Sequence, residues 1–259
     1  MMIQTTIYQN KDFSLIWKPH GIPSTFGKEK SFLDYSKEQK SELAFTVAPL
    51  STLLPVDLIQ FVVPYLEGYK EEKDAQGIFR HQIDIFGQQQ EFGLLNRLDN
   101  DTAGFLYFAR TPEVYESFKQ LQKEEKIKKY YLAQVSGKLK GGNRETGKHE
   151  NTSTFPLFHF SISFPVMHRT AEKMIAIQKP SDVLKGRGKE HQVTTQIEVI
   201  RYDPQKDIST LLVMISKGIR HQIRVHLASQ GHPIIGDMLY GKKENEGYLH
   251  LRSIGFQIS

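Results

Sequence analysis

The chain has 259 residues, 39% of them apolar, and its 34 Lys and Arg against 29 Asp and Glu give a formal net charge of +5. That length and apolar share support a substantial core and exclude an intrinsically disordered chain, while the mild basic excess leans toward a polyanionic partner without requiring one. The absence of cysteine excludes disulfides, thiolate zinc sites and cysteine nucleophiles. The opening MMIQTTIYQNKDFSLIWK carries no leader pattern, and no apolar run approaches the ~18 residues of a membrane span. A soluble, cytoplasmic protein is expected.

Residues 3–8 and 13–17 read as short strands, followed by KPHGIPS, an irregular loop forced by Pro19, Gly21 and Pro23. Residues 53–68, LLPVDLIQFVVPYLEG, are apolar on most faces and predict a buried helix entered at Pro55 and ended near Pro64 or Gly68. The polar, Gln/Glu/Lys-rich residues 68–91 read as a surface excursion. Thr111 and Pro112 predict a helix start, with Glu113 in the first turn and Val114, Phe118 and Leu121 on one face. That helix runs out into the charged KEEKIKK, read as a solvated face. YYLAQVSG, VTTQIEVI and STLLVMIS read as strands, with Tyr131, Ala133 and Val135 on one face of the first. Residues 180–191, PSDVLKGRGKEH, read as a basic loop. This order lacks the steady strand–helix alternation of a parallel α/β fold, so a mixed, largely antiparallel α+β sheet is expected.

Two stretches carry the chemistry. FGLLNRLDNDTAGFLYFAR, residues 92–110, is an apolar run broken by polar residues. A turn between strands explains Asn100, Asp101 and Gly104. It does not explain Arg97 and Asp99, which fall on one side of an extended segment with Leu98 pointing the other way. A carboxylate paired at the edge of a core is a candidate active group. The second stretch is SKGIRHQIRVHLASQGHPIIGDMLYG, residues 216–241. A helix over 219–229 would bury Ile219, Ile223 and Leu227 and set Arg220 and Arg224 one turn apart on a common side, where like charges call for an anion, carboxylate or phosphate. GNRETGK at 142–148 has the spacing of a phosphate loop, but His149 stands where Ser or Thr should hold magnesium and no helix pattern follows. The ten histidines show no pair at zinc-protease spacing, so neither a nucleotide nor a metal site is expected.

Taken together, WKPHGIPS, NRLDNDTAGFLYFAR, KKYYLAQVSG and GIRHQIRVHLASQGHPIIGDMLYG resemble, in order and wording, the motifs of the RluA family of pseudouridine synthases. Weaker similarity in FPVMHRTAEKMIAI and TTQIEVI extends the resemblance from about residue 12 to residue 252. It implies the pseudouridine synthase fold, with few flanking helices and a catalytic cleft across the sheet. It also implies isomerisation of uridine in ribosomal RNA or tRNA, with ribosomal RNA slightly favoured. Asp99 is then the catalytic aspartate, attacking as nucleophile or acting as base, Tyr131 stacks on the flipped uracil and leads the carbon 5 proton away, and Arg220 pairs with Asp99. Arg224 is the alternative for that pairing. Arg97, Thr102, Lys129, Arg224, His221 and Gln222 are candidate RNA-binding or loop-shaping residues.

No cofactor or metal is implied, and a monomer is expected. In this family histidine usually precedes the Arg-Leu-Asp triplet; here Asn96 does, and altered local hydrogen bonding without loss of activity is expected. The whole chain, 1–259, reads as one catalytic domain with a polar insertion at about 24–91 and no separate RNA-binding domain ahead of it. A catalytically silent RNA-binding or ribosome-assembly factor is the alternative, and a hydrolase using Asp99 as general base is a remoter one.

Overall fold

The computed structural model describes residues 3–25, 45–139, 160–241 and 247–259. The chain divides into two compact units, Met1–Ile127 with Arg252–Ser259, and Lys128–Leu251. Both are built on mostly antiparallel strands with few helices, as the α+β expectation requires.

In the first unit the strands are β1 (Ile3–Thr5), β2 (Ile7–Gln9), β3 (Phe13–Lys18), β4 (Phe45–Val47), β5 (Lys70–Glu72) and β6 (Ala103–Ala109), joined by the C-terminal strand Leu251–Ile258. Their order is β5, β2, β3, β6, C-terminal strand, and β1 and β4 form a separate parallel pair. Every residue of β3 and β6 is buried, so these central strands carry apolar residues on both faces and do not alternate, with Ser14 and Lys18 the polar exceptions in β3. Phe256 sits 5.1 Å from Phe13, 5.3 Å from Phe118 and 4.8 Å from Tyr107 between ring centres, which locks the C-terminal strand onto this core. Gly104 is obligatory at the junction. It has φ +113°, and a Cβ there would overlap the Ser253 backbone.

Two expectations for this unit are corrected. Residues 68–91 are not a mere surface excursion: they hold the edge strand β5 and helix α1 (Ala75–Ile85), whose start is capped by the Asp74 carboxylate accepting from the Gly77 N–H at 2.8 Å. The helix buries Ala75, Ile78, Phe79 and Gln82; a glutamine in the buried stripe hides the period. Residues 53–68 do not form one buried helix. Pro55 and Pro64 cut them into short turns, Leu54, Leu58 and Val62 face inward, and Val56 is 73% exposed. Helix α2 (Pro112–Lys123) is as expected, with the Thr111 hydroxyl accepting from the Val114 N–H and Phe118 buried.

The second unit contains β7 (Ile127–Ser136), β8 (Phe160–Ile162), β9 (Val166–His168), β10 (Met174–Ala176), β11 (Arg187–His191), β12 (Thr195–Asp203) and β13 (Ile208–Ile215), with helix α3 (Gln222–Ser229). The strands β7, β13, β12 and β8 run antiparallel in that order, and β10, β9 and β11 form a second small sheet. The basic segment 180–191 is therefore not a loop. Its first residues make a helical turn fixed by the Asp182 carboxylate, which accepts from the Gln178 and Lys179 N–H groups and from Lys185 Nζ, and its last five form β11. The phosphate-loop decoy at 142–148 lies outside the described residues. Among the described residues no helix is long and apolar enough to cross a membrane.

Candidate active site

Asp99 lies half-buried at the head of a tight turn in which its carbonyl accepts from the Thr102 N–H at 3.0 Å. The chain enters this turn from an extended segment stitched to β6. The Leu95 N–H donates to the Tyr107 carbonyl, and the Asn96 side chain continues the ladder, accepting from the Tyr107 N–H at 2.7 Å and donating to the Phe105 carbonyl at 3.2 Å. Asn96 thus supplies both a donor and an acceptor to the β6 backbone. Arg97 and Asp99 do not pair through their spacing: Arg97 is exposed and its guanidinium forks onto Glu91. Thr102 is buried where the turn meets β6.

The far side of the turn is held by KPHGIPS. The Ser24 hydroxyl donates to the Leu98 carbonyl at 2.9 Å and accepts from the Leu98 N–H at 3.0 Å. The Gly21 N–H donates to the Asn100 carbonyl, and His20 Nδ1 lies 2.6 Å from the Asp101 carbonyl, which only its protonated nitrogen can satisfy. Lys18 is 0% exposed, and its Nζ donates to the carbonyls of Pro19, Ile22 and Asn100 at 3.0, 2.7 and 3.0 Å. Burial pulls this ammonium down to about 7, against the opposing charges of Asp99 and Asp101. Asp99 is thereby fixed from both sides through backbone groups, which leaves the turn little freedom to move.

In the second unit Tyr131 lies on β7 opposite Val213 and shares a face with Lys129, whose register partner is Ile215; both are buried. The expected helix over 219–229 begins only at Gln222, because His221 adopts the left-handed region at φ 54°. This corrects the placement of the arginines. Arg220 precedes the helix, is exposed and donates to the Ala171 carbonyl at 2.9 Å, whereas Arg224 is the guanidinium that turns inward. Arg224 Nε and Nη2 each lie 2.8 Å from an Asp237 carboxylate oxygen, a buried bidentate pair, and the guanidinium carbon stands 5.4 Å from the Tyr240 ring centre.

Asp237 Oδ1 also accepts from the Leu239 and Tyr240 N–H groups, and the Tyr240 hydroxyl meets His221 Nδ1 at 2.9 Å. Gln222 braces the fold: its amide donates to the Thr194 carbonyl and the Thr195 hydroxyl, its oxygen accepts from the Ile219 N–H, and it is 2% exposed. Among the described residues no three His, Asp or Glu side chains gather as a metal site.

With this geometry in place, the likeness to known proteins becomes specific. The sequence model of the RNA pseudouridylate synthase family matches residues 12–229, which include both the Asp99 turn and the Arg224 helix. The chain belongs to that family. The ribosomal large subunit pseudouridine synthase D of Zymomonas mobilis is 28% identical over 165 residues, 64% of this chain and 44% of that protein. The synthase C of Buchnera aphidicola is 33% identical over 155 residues, 58% of this chain and 40% of that protein. These relatives bear out the RluA-type resemblance, although the chain spans less than half their length.

Human RNA Pseudouridylate Synthase Domain Containing 1 superposes with a TM-score of 0.56 at 18% identity, covering 96% of this chain and 75% of that one, a likeness of fold. The stretches that carry the RluA resemblance fold into the Asp99 turn, its KPHGIPS clamp, β7 and α3. The residues that sequence spacing does not reveal are Lys18, Ser24 and Asp237. Lys18 leaves one trace, a lone charge closing the otherwise uncharged FSLIWK.

Proposed function

We propose that the chain is an RNA pseudouridine synthase that isomerises specific uridines of structured RNA through Asp99. The observation that carries this is the Asp99 turn, a half-buried carboxylate held at both flanks by backbone bonds to Lys18, Gly21, Ser24 and Asn96. The reaction breaks the bond from the ribose to N1 of the uracil, turns the base and rejoins it through carbon 5; carbon 5 gives up a proton and N1 takes one up, so no atom is gained or lost overall. Such a sequence needs a carboxylate to attack the ribose or take a proton from it, an aromatic face for the flipped base and a fixed positive charge. Asp99 takes the first role and Tyr131 the second. Of the two arginines considered for the third role, Arg220 is exposed and Arg224 is the buried, rigidly oriented guanidinium, with its fork held by Asp237. Lys129, on the face of Tyr131, is a contact for the RNA.

The relatives named for ribosomal large subunit modification favour ribosomal RNA over tRNA, and a cytoplasmic site of action is part of the same proposal. The test is to incubate the protein with ribosomal RNA and tRNA transcripts bearing tritium at carbon 5 of uracil and to count tritium released to water. Release from one pool names the substrate class. Release from neither, with RNA bound, contradicts the proposal.

A further inference from the structure

Arg252 opens the C-terminal strand beside the Asp99 turn. Its parallel register partner is Ala103, the first residue of β6 after the turn, and the next row aligns Ser253 with Gly104 and, across β6, Lys18. Ser253 points into the core, its hydroxyl within 2.7 Å of the Tyr107 hydroxyl, so Arg252 projects to the opposite face. The side chain is half-buried, and that burial lowers its proton affinity. Yet it has no hydrogen-bond or ion-pair partner among the described residues.

Its charged neighbours are of the same sign. Burial first, and then Arg252 and Lys18, hold the His20 imidazole below its usual value, while the Asp101 carbonyl works the other way. A half-buried guanidinium without an anion gives up part of its hydration, which an incoming anion would offset. By contrast, the fully buried Arg224 has its carboxylate.

We infer that Arg252, with His20 beside it, is the binding site for one backbone phosphate of the RNA, placed at the edge of the Asp99 turn. The inference rests on Asp99 being the reacting carboxylate, since only then does a phosphate at this edge belong to the nucleotide presented for reaction or to its neighbour. The geometry suits the role. The strand end is rigid, anchored through Ser253 and Phe256, and an arginine fork presents paired donors to phosphate oxygens. Arg252 is therefore a binding residue that sets how the nucleotide is delivered, not a group that reacts.

The test uses the full chain, with Arg252→Gln and Arg252→Lys, and a fluorescein-labelled RNA stem-loop with uridines in its loop. Fluorescence anisotropy gives the dissociation constant across a salt series. Losing one phosphate contact should flatten the slope of log affinity against log salt by about 0.7–0.9 and weaken binding about tenfold at moderate salt in Arg252→Gln, with Arg252→Lys retaining the slope. Where tritium release is measurable, the loss should fall on KM more than on kcat. An unchanged slope and affinity in a folded Arg252→Gln overturns the inference, as does a loss that Arg252→Lys shares in full. Because binding is read without turnover, a flattened slope in a protein that releases no tritium would uphold the phosphate site and defeat the catalytic reading alone.

Discussion

The Asp99 turn of the first unit and the Arg224 segment of the second are secured by different means. The turn is an extended stretch whose own backbone carbonyls, those of Leu98, Asn100 and Asp101, receive Ser24, Lys18, Gly21 and His20. The Arg224 segment is held side chain to side chain, through a buried ion pair with Asp237 and the Tyr240–His221 contact. Backbone bonding fixes a loop whatever its side chains are doing, and none of these bonds uses the Asp99 carboxylate. Side-chain bonding fixes a charge in a chosen place, at the cost of making each partner indispensable. The difference predicts where substitutions hurt folding and where they hurt turnover.

The largest effect on stability should come from the ion pair. Asp237→Ala leaves Arg224 buried without its carboxylate and should lose about 3–5 kcal/mol in urea unfolding; a loss below about 1 kcal/mol would break the contrast. Next, Lys18→Met removes the donor for three carbonyls and should lose about 2–3 kcal/mol. This pair also has a pH signature. The unfolded amine, at its ordinary 10.5, keeps a proton that the folded amine gives up near 7, so the unfolded chain binds more protons between those values. Wild-type stability should therefore rise with pH in that window relative to Lys18→Met, with a limiting slope of about 1.4 kcal/mol per pH unit.

A smaller effect is expected of Ser24→Ala, which strands the buried Leu98 N–H. It should cost about 1–2 kcal/mol and slow single-turnover tritium release, because the turn carrying Asp99 loosens. Smallest of all, Arg220→Gln should alter stability by no more than about 0.5 kcal/mol, since the residue is exposed with one carbonyl contact. A large loss there would restore Arg220 to the inward place first expected of it.

The same contrast explains what the amino-acid order reveals. Around Asp99 the chain is extended, alternation holds, and Leu98 is buried between exposed Arg97 and half-buried Asp99 as the period of two requires. At the arginines the apolar spacing predicts a helix running through His221, whose left-handed backbone breaks it. Arg220 and Arg224 consequently part company. A non-glycine residue in that region leaves no mark in the sequence. Helix α1 was hidden for another reason, a buried Gln82 interrupting its apolar stripe. The partners of the Asp99 turn lie some eighty positions away in KPHGIPS, a separation at which local patterning carries no information. Family resemblance marks that segment as a motif; only the fold displays its bonds.

The most direct test of the account is a comparison of wild type and Asp99→Asn in one sample series, with RNA affinity read by anisotropy and isomerisation by single-turnover tritium release. The substitution keeps the shape of the side chain and removes its charge, while the backbone clamp remains. The account predicts affinity within about threefold of wild type and no tritium above background. Release at the wild-type rate by Asp99→Asn would contradict it, for then the carboxylate that the clamp presents would not be the group that reacts.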